Sequence, residues 1–207
     1  AYSMQKNKHK KWLGKGILLG IGLLVGGMTI GTGLMGSAQA ASDSSSVTIE
    51  AFPATLAEFS AMPQATNLSK PENTCTLLLC ALDLFTKDRA SGVEALNKLR
   101  GPRPMSPMDV QFVRDRLMDK AYLPKAYFDG ATPQNNYTPS LPYTVHFYPD
   151  PRPQDMGEGY MRLFLRTPGA DSPRPIRLRR KGDQWFIWDY PGILSGIRIP
   201  AKEDPWQ

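Results

Sequence analysis

The chain has 207 residues, with 25 Lys and Arg against 19 Asp and Glu, a formal net charge of +6, two cysteines and two histidines. Five of the cations stand before residue 16 and no acid precedes Asp43, so from Ala41 onward the balance is 20 against 19. That near-neutral remainder excludes a strongly basic nucleic-acid-binding domain, and one histidine after residue 40 with no C-x-x-C motif excludes the usual metal sites.

Lys6, Lys8, Lys10, Lys11 and Lys15 precede a charge-free run over 16–38 that closes on Ala38-Gln39-Ala40. Basic, apolar, then small-x-small is the build of a secretory signal peptide. Cations ahead of an apolar segment stay in the cytoplasm, so the remainder is expected outside it. Residues 17–35 are also just long enough to span a bilayer. Eight glycines between Gly16 and Gly36 lower helix propensity, and Gly16/Gly20, Gly22/Gly26 and Gly27/Gly31 have the small-xxx-small spacing of packed membrane helices. Residues 1–40 are therefore expected to be a signal peptide cleaved near Ala40, releasing a secreted protein. The alternative is an uncleaved N-terminal anchor that meets the membrane only through residues 16–38. Gly31-Thr32-Gly33-Leu34-Met35-Gly36 matches G-x-G-x-x-G, but no strand precedes it and no helix follows, so no dinucleotide or other cofactor is expected.

Residues 41–46 read as a polar linker and 47–207 as a single domain large enough for a real core. Thr55-Leu56-Ala57-Glu58 is a capping box opening a short helix. Ser69-Lys70-Pro71-Glu72 starts a second helix, with Ser69 as N-cap and Pro71 in the first turn. Leu77, Leu78, Leu79, Ala81, Leu82, Leu84 and Phe85 are apolar nearly all round it, which predicts burial on most faces. A third helix over about 90–99 carries Val93, Leu96 and Leu99 on one stripe and ends at Gly101-Pro102. Ser106-Pro107-Met108-Asp109 opens a fourth, with Val110, Val113, Leu117 and Met118 expected inward.

Residues 121–142 hold four prolines, three tyrosines and a phenylalanine. Such a stretch forms no regular element, yet is too aromatic for disorder, and predicts an ordered loop that packs over the domain or lines a groove. Beyond it, residues 143–148, 160–167, 175–180 and 184–190 alternate as strands separated by tight turns, an antiparallel β-meander. The fold class is α+β, N-terminal helices packed on a C-terminal antiparallel β-meander.

Several motifs carry a resemblance. Pro71-Glu72-Asn73-Thr74, Gly101-Pro102-x-Pro104, Phe112-x-x-Asp115-Arg116-Leu117, Asp171-Ser172-Pro173-Arg174-Pro175 and Lys181-Gly182-Asp183-Gln184-Trp185-Phe186-x-Trp188 are among them. So are the closing Glu203-Asp204-Pro205-Trp206 and the most specific stretch, Tyr127-Phe128-x-Gly130-Ala131-Thr132-Pro133-x-Asn135-Asn136-Tyr137-Thr138-Pro139. Together they resemble a domain of unknown function found mainly in secreted or membrane-tethered proteins of Firmicutes-type bacteria. The resemblance implies compartment and a single domain, and assigns no activity, ligand or catalytic residue. The meander is also similar, in a generic way, to the sheets of cystatin-like folds of the nuclear transport factor type, a class that hosts many functions.

Four groups of residues bear on chemistry. His146, the histidine of the mature region, is the weak catalytic candidate: a hydrolase would have to use it with a nearby carboxylate, and the bland reading is a strand-surface residue. Cys75 and Cys80 lie five apart on one helix, about 140° around its axis, which points to two buried thiols; a disulfide that breaks the helix is the alternative. Asp115/Asp119 reads as a solvated helix face. Arg162, Arg166, Arg177 and Arg179 share one sheet face with Tyr160 and Phe164, a ligand-binding candidate for an anionic envelope polymer or an acidic partner segment. The competing reading of that face is a solubilising surface paired with Asp155, Glu158, Asp171 and Asp183. Trp185 and Trp188 straddle the pleat, one expected in the core and the other able to cover a groove with the loop over 137–143. The function expected from these features is an extracytoplasmic, non-catalytic domain that binds a cell-envelope component, a peptide or a protein partner, with no metal and no nucleic acid. A secreted hydrolase built on His146 is the alternative.

Overall fold

The computed structural model describes residues 44–207, so the expected leader, its cleavage site and the first linker residues lie outside the described residues. Among the described residues, no helix is long and apolar enough to cross a membrane.

The chain runs β1 (Ser45–Ile49), α1 (Leu56–Ala61), α2 (Pro71–Lys87), α3 (Arg89–Leu99) and α4 (Pro107–Leu117). It continues through β2 (Tyr143–Pro149), β3 (Tyr160–Leu165), β4 (Arg174–Lys181) and β5 (Gln184–Asp189). The five strands form one antiparallel sheet in sequence order, and the α+β arrangement of helices first and meander after is as expected. The strand that sequence reading missed is β1. Ser45 and Ser46, assigned to the linker, are its first residues, and it pairs with β2 across the whole helical half, Ser46 opposite His146 and Val47 opposite Val145. It escapes notice because it is a five-residue edge strand whose Ser46 and Thr48 are exposed, so two apolar residues carry all of its pattern.

Helix α2 is the centre of the core. Every residue from Thr74 to Phe85 is buried, as the all-round apolar pattern requires. Cys75 and Cys80 are free, fully buried thiols within it, and burial pushes both well above the ordinary thiol range. Pro71 occupies the first turn, but Lys70 is the N-cap and not Ser69, whose hydroxyl and amide both turn back to Asn67 Oδ1. Thr55 caps α1 as expected, while Glu58 reaches the amide of Ala54 (2.7 Å) one residue before the cap. Ser106 and Asp109 form the full capping box of α4. Met118, expected inward, is 50% exposed, because α4 ends at Leu117 and the backbone at Met118 has already left the helix. For the same reason Asp115 and Asp119 share no helix face: Asp119 lies past the end, with φ of 58°.

Residues 121–142 fold over the domain as an ordered cover, with Leu123, Ala126, Tyr127, Phe128, Ala131 and Tyr137 buried. Asn135 is its hub. Its side-chain oxygen accepts from the amides of Thr132 (2.9 Å) and Thr138 (3.0 Å), and its amide donates to the carbonyls of Gly130 (2.7 Å) and Thr138 (3.1 Å). The hydroxyls of Tyr127 and Tyr137 donate to the carbonyls of Ile193 and Arg198, each at 2.6 Å, and tie the cover to the C-terminal segment.

The sheet has two unlike faces. Val145, Phe147, Leu163, Leu165, Ile176, Leu178 and Ile187 are buried in the core with α2, leaving the alternate residues on the outer face. A β-bulge modifies that alternation in β5: Leu178 faces Ile187 while the preceding Arg177 faces Asp189, so Trp188 is an extra residue without its own partner. Trp188 is outward by alternation from the buried Ile187, and the bulge brings Asp189 round to the same side, to Arg177. Trp185, on the inner face, packs on the core, and its amide donates to Leu68 O (2.8 Å), closing the outer edge of β5.

Candidate functional site

The outer face does bring the predicted arginines and aromatics onto one surface, but it sorts them into two kinds. Arg162 is closed: its Nε and Nη2 each donate to Asp150 at 2.9 Å, a bidentate fork on a carboxylate whose side chain is 4% exposed, and it stacks over Phe164. Burial pushes the Asp150 carboxyl up, but the hydrogen bonds from Arg162 and the Arg152 amide outweigh this and hold it below the usual carboxylate range. Arg177 is paired with Asp189 at 2.9 Å. The carboxylates that neutralise the face are thus Asp150 and Asp189, not the four expected: Asp171 pairs with Arg198 and Asp155 with Arg152. Asp150 was missed because it stands just past the last alternating residue of β2. Asp189 was missed because strict alternation puts it on the other face, and only the bulge brings it over.

Arg166 and Arg179 have no acidic partner among the described residues. Arg166 lies over the Tyr148 ring (4.7 Å). Arg179 donates to the Tyr160 hydroxyl and sits 4.8 Å from the Tyr160 ring and 5.1 Å from that of Trp188. Tyr160 and Trp188 meet edge to face at 5.3 Å.

Arg179 and Trp188 open into a groove of about 460 Å³ that sequence reading did not assemble. Its far wall is the α3–α4 loop. Gly101, at φ of 61°, lies against the Phe186 ring, 3.1 Å from where a Cβ would stand, so a side chain there would be strained in its backbone and would press on that ring. That seat aims Arg103 across the groove: its guanidinium lies 3.9 Å over the Trp188 ring and donates to the Trp188 carbonyl. Arg100, 8% exposed, stands behind it, bonded to the Arg103 carbonyl (3.0 Å) and to Asp109 (3.2 Å). Arg180 and Lys181, exposed at the β4–β5 turn, complete the rim. Five cations, Phe186 and Trp188 line this groove and no carboxylate does. Burial, and after it the neighbouring Arg100 charge, lower the pKa of Arg103, with Asp109 and Asp189 pulling the other way. Trp188 therefore does cover a groove, though with Arg103 and not with the loop over 137–143. The sequence signal was Gly101-Pro102-Arg103-Pro104, a rigid loop carrying an arginine, but nothing local says which strand it meets.

His146 stands at the other end of the outer face. Its Nε2 lies 2.8 Å from Asp129 Oδ2, with both side chains exposed. The cover loop holds Asp129 in place, its amide donating to Thr144 O (2.8 Å) and its carbonyl accepting from Ser140 (3.0 Å). The pair opens on a groove of about 350 Å³ that also contains Tyr148, Arg166 and Thr132. No Ser or Cys lines it, and what the arrangement offers is a base or a positioned imidazole. Among the described residues, no group of three or more His, Cys, Asp or Glu is placed to hold a metal ion.

No curated protein and no solved structure matches the chain. A family model, described as a domain of unknown function (DUF6935), matches residues 51–201, and the chain belongs to that family.

Proposed function

We propose that this protein is a non-catalytic binding domain that works outside the cytoplasm and captures an oxyanion-bearing component of the cell envelope or an acidic segment of a partner. The site is the groove between the α3–α4 loop and the β4–β5 hairpin. One observation carries the reading: Arg103 and Arg179 are both held against Trp188 with no salt-bridge partner among the described residues, and Arg180 and Lys181, also unpaired there, stand at the rim. Guanidinium groups fixed by stacking lose little freedom on pairing with a carboxylate or phosphate, which favours affinity. The setting rests on the basic, apolar, small-x-small order of residues 1–40, for a bacterial protein either secreted or tethered. The likeness of the meander to cystatin-like and nuclear transport factor-like sheets is compatible with such a role.

Fluorescence anisotropy with labelled poly-L-glutamate tests the reading. Arg103→Glu with Arg179→Glu, and separately the exposed pair Arg180→Glu with Lys181→Glu, should each weaken binding by about tenfold or more, and salt should weaken the wild type. Unchanged affinity in both variants sinks it.

A second reading is a secreted hydrolase, favoured by the 2.8 Å approach of His146 to Asp129 beside Arg166. There the imidazole, oriented by Asp129, would take a proton from attacking water. Any hydrolytic activity found should fall by about 100-fold or more in His146→Ala; an activity that survives removes this reading.

A further inference from the structure

The two grooves lie at opposite ends of one sheet face. Arg179 is in register with Tyr160 on β3, and Arg166 stands one residue past the end of that strand, six residues after Tyr160 and about 20 Å away at the rise of an extended chain. Free cations mark both ends: Arg103, Arg179, Arg180 and Lys181 at the hairpin, Arg166 at the His146 groove. Between them the charge is closed, Arg162 by Asp150 and Arg177 by Asp189, and the half-buried Phe164 ring lies beside Arg162, with Tyr148 and Tyr160 at the two ends under Arg166 and Arg179.

We infer that the ligand is an extended acidic peptide that crosses this face, with carboxylates about six residues apart and apolar side chains between them. The inference rests on the binding reading above and adds the ligand's class, length and pattern. In an extended peptide, side chains at i, i+2, i+4 and i+6 share one side and rise about 3.3 Å per residue. Acids at i and i+6 then meet the two cationic ends, while the residues at i+2 and i+4 lie over Phe164 and the neutralised Arg162–Asp150 pair. A bare phosphate polymer would meet the ends equally well but would lay its continuous negative charge over a middle whose arginines are already taken by Asp150 and Asp189, which is why a peptide charged only at its ends fits better. The outer edge of β5 is closed by Leu68, so recognition here is by side chains laid on a face and not by an added strand.

Calorimetric titration of the full domain with three probes tests this: a seven-residue peptide with glutamates at its first and seventh positions and leucines at its third and fifth, the same peptide with the seventh glutamate replaced by serine, and linear polyphosphate. The two-glutamate peptide should bind about tenfold tighter than the one-glutamate peptide, since the second contact is intramolecular. Arg166→Glu should erase that advantage, and Arg179→Glu should weaken both peptides. An Arg166→Glu variant that keeps the full advantage overturns the crossing while leaving the hairpin groove as the site. Indifference of both peptides to Arg179→Glu overturns the groove as well. Polyphosphate binding more tightly than the two-glutamate peptide overturns the choice of a peptide.

Discussion

Arg162 and Arg179 sit on the same face of adjacent strands and look alike in sequence, yet one is structural and the other free. The difference is a carboxylate. Asp150, at the end of β2, holds Arg162 through two 2.9 Å bonds, whereas Arg179 meets only the Tyr160 hydroxyl and two rings. Removing one member of such a pair leaves an uncompensated, largely buried charge, so Asp150→Ala should lower the unfolding free energy by roughly 2–3 kcal/mol, measured by urea titration. The pH dependence follows from the depressed carboxyl. Asp150 contributes stability that is present above the ordinary carboxylate value of about 4 and is lost as pH falls through its lower folded value. Asp150→Ala should therefore also flatten the acid limb of the stability curve; an unchanged limb would show that the fork does not stabilise the fold. At this scale little was legible. The arginines could be placed on a face, but their partners depended on a bulge and on a residue just outside the alternating run.

At the scale of elements, local chemistry was read well wherever it is self-contained. The Ser106–Asp109 capping box and the alternation of β2 to β4 need only neighbours in sequence. What failed were the elements whose signal is short or whose ends are set from outside: β1, the N-cap of α2 and the last turn of α4. The packing of α2 against α3 shows the same limit. Gly92 in α3 lies so close to α2 that a Cβ would stand 2.3 Å from the Phe85 Cα, a contact with backbone that cannot yield. In an ordinary helix Gly→Ala stabilises by about 0.5–1 kcal/mol. Here the sign reverses: Gly92→Ala should cost roughly 2 kcal/mol or more and lower Tm by about 4 °C or more. A neutral or stabilising Gly92→Ala in a thermal melt would contradict the close crossing. Asn135 and its neighbours show how a loop without regular structure is still specified, since its hydrogen bonds replace those a helix or sheet would supply.

For the whole molecule, the balance of 20 cations against 19 acids after residue 40 is misleading as a guide to surface potential. Folding segregates the charge. Carboxylates are drawn to Arg100, Arg162, Arg177 and Arg198, and a cluster of cations is left at the hairpin end of the sheet. A near-neutral sum of charges therefore says little about this groove, which is assembled by an Arg103–Trp188 contact between residues 85 apart. The central claim is that this groove is where the protein meets its ligand. Two-dimensional ¹H–¹⁵N NMR of the folded domain, titrated with oligoglutamate and separately with oligolysine, tests it most directly. The account predicts that oligoglutamate shifts the Trp188 indole and the Arg103 and Arg179 side-chain resonances in a saturating manner while oligolysine leaves them in place. Shifts confined to other surfaces, or equal responses to both polymers, would contradict it.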